Sequence, residues 1–197
     1  MEKRTAYLLT CDEQSHRSIS SRSMLEKMGF SVKPVSCEPH EDKVVSNKMG
    51  MQRVYETIAN GDEEYCYVFE DDIGTVEEIS LPEIIQYEKI SEMFFYLGCC
   101  VYAARTWDTG VKIDQHSVYS VSGGARCLHA IGLSRKGARE LLEFSRSVEM
   151  PYMDVIVEEF SRRHPANVVR FDLQSPIIQG HKGVVFQDRE RHPSTIV

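Results

Sequence analysis

Apolar and polar positions along the chain fall into blocks that switch between strand-like and helix-like spacing. Ala6 to Leu9 is a short apolar run, read as a buried strand ending in Thr10 and Cys11. Ser18 to Met28 carries Ile19, Met24, Leu25 and Met28 at helical spacing and is stopped by Gly29. Phe30 to Val35 then alternates as a second strand, so the chain opens as a βαβ unit, which favours a parallel sheet. Ser46 is the expected N-cap of a helix running through Ala59, striped by Met51, Val54, Tyr55 and Ile58 and ended by Asn60-Gly61.

Tyr65 to Phe69 is almost wholly apolar and aromatic, as in a strand buried on both faces, and it runs into Glu70-Asp71-Asp72. Met93 to Leu97, Ser117 to Val121 and Cys127 to Leu133 read as further strands, with Trp107-Asp108-Thr109-Gly110 as a turn between the first two. Ser134 is the expected N-cap of a helix from Arg135 to Phe144. Another helix begins at Pro151 with Asp154 in its first turns and Arg162-Arg163-His164 near its end, signs that suit the helix dipole. Val168 to Phe171 is a late strand. From Gln174 onward the chain is rich in Pro, Gly, His and charge. No repeat, low-complexity tract or linker divides it, so one domain is expected over 1–197, with 174–197 a mobile C-terminal segment.

Composition narrows the classes. A chain of 197 residues with 42% hydrophobic and 27% charged residues is ordinary for a globular protein. No apolar stretch approaches the roughly 20 residues of a spanning helix, and the opening residues lack a signal-peptide core; cytoplasmic location is expected, the host's for a viral source. Net charge of −7 argues against a nucleic-acid footprint, because phosphate binding needs a basic face. Of six cysteines, Cys66, Cys99, Cys100 and Cys127 lie in or beside apolar runs, and none forms a Cys-x-x-Cys pair; they read as buried free thiols.

An acidic protein handling an anionic cofactor needs a cation to offset repulsion, which directs attention to Glu70-Asp71-Asp72. In open α/β sheets ligands sit beyond the carboxyl ends of strands. Strand alternation puts Glu70 and Asp72 on one side and Asp71 on the other. Two carboxylates can then hold Mg²⁺ or Mn²⁺ bridging a diphosphate, while the third meets ligand hydroxyls. A receiver-domain pocket is set aside, since His116 to Ser120 supplies no phosphoacceptor Asp.

With that cluster placed, the chain resembles glycosyltransferase family 25, the lipopolysaccharide- and collagen-type sugar transferases of GT-A fold. The matching segments, in order, are Tyr7-Leu8-Leu9, the helix near Ser46, and Tyr67-Val68-Phe69-Glu70-Asp71-Asp72. Phe95-Tyr96-Leu97-Gly98 follows, then Ala130 to Ala138 with Leu141-Leu142, Met153-Asp154, and Pro176 to Gln179. Two departures stand out. Ser46-Asn47-Lys48-Met49-Gly50 replaces the family's Cys and Ser-His pair, and Leu9-Thr10-Cys11 with a distant Arg17 replaces its Asn-Leu-x-x-Arg opening.

The resemblance implies an α/β GT-A-like fold with a mostly parallel central sheet. It also implies inverting transfer of a hexose from a UDP-sugar to a glycan or hydroxyl acceptor. Asp72 is then the principal metal ligand, with Glu70 assisting and His181 closing on the metal from the tail. Asp71, Thr10, Cys11, Arg17 and Lys182 fall to the donor, and Asp154 is the base that takes the acceptor's proton. Two other readings compete. One is a degenerate GT-A domain that binds nucleotide or glycan without turnover; the other is a metal-dependent phosphohydrolase, for which no nucleophilic Asp can be placed.

Overall fold

The computed structural model describes residues 3–37 and 40–193. Its elements, in chain order, are β1 (Thr5–Thr10), α1 (His16–Met28), β2 (Ser31–Ser36), α2 (Lys43–Asn60), β3 (Tyr65–Glu70), β4 (Ile73–Thr75) and α3 (Leu81–Glu88). There follow β5 (Phe94–Val101), β6 (Arg105–Ile113), β7 (His116–Ser122), β8 (Ala125–Ser134), α4 (Arg135–Ser147) and α5 (Met153–Arg163). The last elements are β9 (Ala166–Val168), β10 (His181–Gly183) and β11 (Val185–Gln187).

The main sheet has the order β2-β1-β3-β8-β5-β9-β7-β6, with β10 attached to β5. Strands β2, β1, β3, β5, β9 and β6 run one way and β8, β7 and β10 run against them, so the sheet is mixed but mostly unidirectional. Because strand side chains alternate between faces, one strand feeds two cores. Leu9, Cys66, Val68, Phe94, Tyr96, Ile131 and Leu133 face α2, α4 and α5. Leu8, Tyr65, Tyr67, Phe69, Phe95 and Leu97 face α1 and α3. Both faces are covered, which is why β1, β3 and β5 read as continuous apolar runs.

Several boundaries follow from local chemistry. Ser15 caps α1 by accepting from the Ser18 N–H, and Gly29 ends it at φ 110°, a left-handed conformation that costs a glycine little. Ser134 caps α4 as expected, accepting from the Gly137 N–H. α2 starts earlier than the sequence pattern indicates. Asp42 is its cap, accepting from the Val44 and Val45 N–H groups, while Ser46 lies buried within the helix. The Trp107-Asp108-Thr109-Gly110 stretch is not a turn but the middle of β6, which pairs antiparallel with β7 and is exposed along most of its length. The turn lies instead between β6 and β7, where Asp114 adopts φ 53°. In the tail, β10 pairs with β5 and β11 with β4; residues 194–197 of the expected mobile segment lie outside the described residues. Among the described residues, no helix is long and apolar enough to cross a membrane.

Candidate functional site

The carboxyl ends of β1 and β3, the start of α1 and the start of α5 enclose a cavity of about 600 Å³. Seven of the residues singled out from the sequence line it: Thr10, Cys11, Arg17, Glu70, Asp71, Asp72 and Asp154. β1 and β3 are adjacent and parallel, with Leu9 opposite Glu70, so the two strand ends are brought side by side by the sheet itself.

The acidic run does not alternate as a strand would. β3 stops at Glu70, and Asp71-Asp72 form the turn into β4, freeing both side chains from the strand's two-sided pattern. Asp71 is fully engaged: it accepts from the Thr10 hydroxyl at 2.6 Å and meets the Arg17 guanidinium at 2.5 Å. Ser21 also donates to the Asp71 backbone carbonyl. Arg17 lies 3.8 Å from Asp72 Oδ2, whereas Asp72 Oδ1 is buried with no partner among the described residues. Glu70 accepts a hydrogen bond from the Gln187 side-chain amide at 2.9 Å. The Asp188 N–H donates to the Asp72 carbonyl, so the tail grips the acidic turn from above.

Burial, followed by the neighbouring Asp72 charge, pushes the Glu70 carboxyl up to about 8, against the pull of the Gln187 hydrogen bond. Burial likewise raises Asp72, opposed by Arg17 and reinforced by Asp71. Burial thus disfavours the charged form of both groups. Between the ordinary 4.5 and about 8, folded Glu70 holds a proton that the unfolded chain has released, so its contribution to stability falls as pH rises through that window. Glu70→Gln keeps the neutral form throughout. Its advantage over the wild type should therefore be near zero around pH 4.5 and reach roughly 4 kcal/mol by about pH 8. Urea unfolding in chelator checks this, and a pH-independent difference refutes it.

Asp154 sits in the first turn of α5, half-buried, with the Val155 N–H donating to its Oδ1 at 2.9 Å. It is close enough for its charge to add to the rise at Glu70. Cys11, Cys37, Val44 and Asn47 also line the cavity, and burial, reinforced by the neighbouring Cys11, pushes the Cys37 thiol up to about 12.

Two expected site residues lie elsewhere. Lys182 holds its ammonium over the Phe171 ring, 5.3 Å from the centroid, and does not line the cavity. His181, expected on the metal beside Glu70 and Asp72, is buried with Nε2 2.7 Å from Cys100 Sγ and its ring stacked on His129. Both residues are on β10, and its antiparallel pairing with β5 sets His181 directly opposite Cys100. Cys100 and Cys127, expected as free thiols, are joined as a disulfide, while Cys11, Cys37, Cys66 and Cys99 are free. Cys127 has φ 63°, and that departure from extended backbone accompanies the irregular β5–β8 register.

Gln187 and Arg189 line the cavity too, although nothing in the tail's spacing marked them. Among the described residues, one group of three Cys, His or acidic ligands has its donor atoms within 4.8 Å of one another, and it is Cys100, Cys127 and His181. The acidic turn offers fewer converging ligands. That suits a Mg²⁺- or Mn²⁺-type site, which takes one or two carboxylates and completes its shell with water and substrate phosphates. The unpartnered Asp72 Oδ1 fits such a role.

No family model and no curated protein sequence matches this chain. Among solved structures, it is similar to a CTP:phosphocholine cytidylyltransferase from Streptococcus pneumoniae, with a TM-score of 0.50 and 12% identity over 95% of this chain and 93% of that one. A nucleoside-diphosphate-sugar pyrophosphorylase from Vibrio cholerae RC9 aligns at a TM-score of 0.37 and 10% identity, covering 83% of this chain and 70% of that one. The first likeness establishes the fold, a mixed α/β sheet with helices on both faces; the second is too distant to add to it.

Proposed function

We propose that the chain is a metal-dependent glycosyltransferase that moves a hexose from a UDP-sugar to a glycan or hydroxyl acceptor, as its resemblance to family 25 implies. The observation that carries the reading is the buried, unpartnered Asp72 Oδ1 in a cavity that also holds Glu70 and Asp154. The cytidylyltransferase likeness brings nucleotidyl transfer into consideration. The β1–α1 connection, Cys11-Asp12-Glu13-Gln14-Ser15, disfavours it, because two carboxylates and no glycine make a poor cradle for a triphosphate.

In this reading, Asp72 and Glu70 hold Mn²⁺ or Mg²⁺, which when bound supplies the positive charge that a departing diphosphate needs. Thr10 and Arg17 fix Asp71, and through Arg17 the neighbouring Asp72, so the ligand carboxylate is positioned before the donor arrives. The walls formed by Cys11, Cys37, Val44 and Asn47 take the nucleoside end. Asp154, across the cavity, accepts the proton of the acceptor hydroxyl as that oxygen attacks the sugar carbon.

The ion pair between Arg17 and Asp71 favours a second reading, in which the domain binds nucleotide without turnover because an internal cation already meets part of the acidic charge. UDP release from a panel of UDP-sugars with Mn²⁺ separates the two. Turnover in the wild type, lost by roughly a hundredfold or more in Asp154→Asn with donor affinity retained, supports transfer with Asp154 as base. Donor binding without release across varied acceptors favours the binding domain, and no metal-dependent UDP binding at all overturns both.

A further inference from the structure

Beside the donor cavity lies a second group of ligands with a different chemistry. Cys100 on β5, Cys127 on β8 and His181 on β10 come from three strands of one sheet. His181 is the direct cross-strand partner of Cys100, and Arg126, next to Cys127, is its partner on the other side. His181 Nε2 lies 2.7 Å from Cys100 Sγ and 4.0 Å from Cys127 Sγ. The His181 ring is stacked at 9° on His129, and its Nδ1 is buried without a partner among the described residues. Cys100 and His181 are almost fully buried. Cys127 is half-buried and lines the donor cavity, so the group has one open side.

Two sulfurs and an imidazole are a soft donor set, unlike the carboxylates of the acidic turn. We propose that, when the Cys100–Cys127 disulfide is reduced, the two thiolates and His181 Nε2 bind one zinc ion whose fourth position opens past Cys127 toward the donor cavity. Two thiolates cancel the charge of a divalent ion, so the buried complex is neutral and escapes the cost of burying a net charge. The Cys100 and Cys127 Cα atoms are 5.5 Å apart. Tetrahedral zinc with Zn–S bonds of about 2.3 Å sets its sulfurs roughly 3.7 Å apart, which side-chain rotation supplies once the S–S bond is broken. The contact between imidazole and sulfur widens with it. With a phosphine as reductant, phosphorus gives two electrons to the S–S bond and takes the oxygen of one water. That water's two protons pass to the sulfurs, and zinc binding then releases both to solvent.

The site does not depend on the glycosyltransferase reading, and its test does not use turnover. Phosphine-reduced protein is loaded with zinc, passed over a chelating resin and assayed for metal, then reloaded with cobalt for absorption spectroscopy. The expected result is one metal per chain with a thiolate-to-cobalt charge-transfer band. That band should vanish in Cys100→Ser and Cys127→Ser and survive in Cys66→Ser and in Asp72→Asn. His181→Ala should weaken binding by at least about tenfold. In the reduced wild type, zinc should also slow alkylation of Cys127, a readout that needs no variant to fold. A reduced wild type without the band, a band that persists in folded Cys100→Ser, or alkylation indifferent to zinc would overturn the proposal.

Discussion

Replacing Asp72 by Asn is expected to lower Mn²⁺-dependent UDP release by roughly a thousandfold while leaving the protein folded. The substitution keeps the shape of the side chain and removes one charge. Asp72 is 5% exposed, and its Oδ1 has no partner. The folded state therefore bears the cost of a desolvated carboxylate, as the upward displacement of its pKa by burial shows. Asn relieves that cost, so the melting temperature in chelator should stay level or rise. Under the proposed metal role, Mn²⁺ should raise the melting temperature of the wild type and raise that of the variant less. Few inactivating changes at a buried position leave stability intact, which gives the pair of readouts its force. Undiminished turnover, or an equal Mn²⁺-induced shift in Asp72→Asn, would remove Asp72 from the metal site.

The largest expected loss of stability is at Gly98. Gly98 lies in the middle of β5, between the two register shifts of its pairing with β8. A Cβ there would stand 1.8 Å from the Val185 carbonyl oxygen and 2.5 Å from His129 Nε2. Those two atoms are hydrogen-bonded to each other at 3.0 Å, so an alanine methyl would enter the middle of that bond. One of the two is backbone and the other a fully buried ring, so neither can swing away. Gly98→Ala should cost roughly 3–5 kcal/mol in urea unfolding. It should also loosen β11, and with it the Gln187 contact to Glu70. Gly110→Ala is the comparison: nothing lies within 4 Å of its Cβ, and only its φ of 75° resists, at about 1 kcal/mol. Equal small losses at both positions would show that β11 is free to move.

The parts of the fold that depend on burial were legible. β1, β3, β5 and β8 announce themselves as apolar runs, and Ser134 before an amphipathic stretch marks the start of α4, which runs three residues past the expected Phe144. β6 was not legible, because an exposed hairpin strand has no buried face to impose alternation on its sequence and Gly110 imitates a turn. α3 was overlooked although its signal is present: Ser80 and Glu83 form a reciprocal capping box, with Pro82 in the first turn. Asp42 and Ser46, four residues apart, are both good caps, and only the packing of α2 decides between them.

The candidate site divides in the same way. Residues at the ends of β1 and β3 and at the starts of α1 and α5 could be placed because each follows a recognisable element. Lys182 and His181 could not. Three-residue strands in a polar tail carry too little pattern to reveal that β10 pairs with β5, and that pairing sends His181 to two cysteines. The disulfide is hidden in the sequence for a related reason. Cys100 and Cys127 are 27 residues apart in chain regions that read as separate buried strands, and only the β5–β8 register brings them together.

The hold of the tail on the acidic turn has a consequence for the order in which the molecule takes shape. Gln187 meets Glu70 across 117 positions of sequence, and Asp188 reaches the Asp72 carbonyl from the same segment. Contacts so distant along the chain are the last to be rewarded, since their loop-closure entropy is met only after nearer pairings have formed. A nascent or refolding chain can thus lay down β1, α1, β2, α2 and β3 while Glu70 and Asp72 are still hydrated and their repulsion is weak. Their burial is completed when Gln187 and Asp188 dock. If the acidic turn binds metal as proposed, that competence is a late event, and recovery of a Mn²⁺ response should lag behind recovery of the sheet.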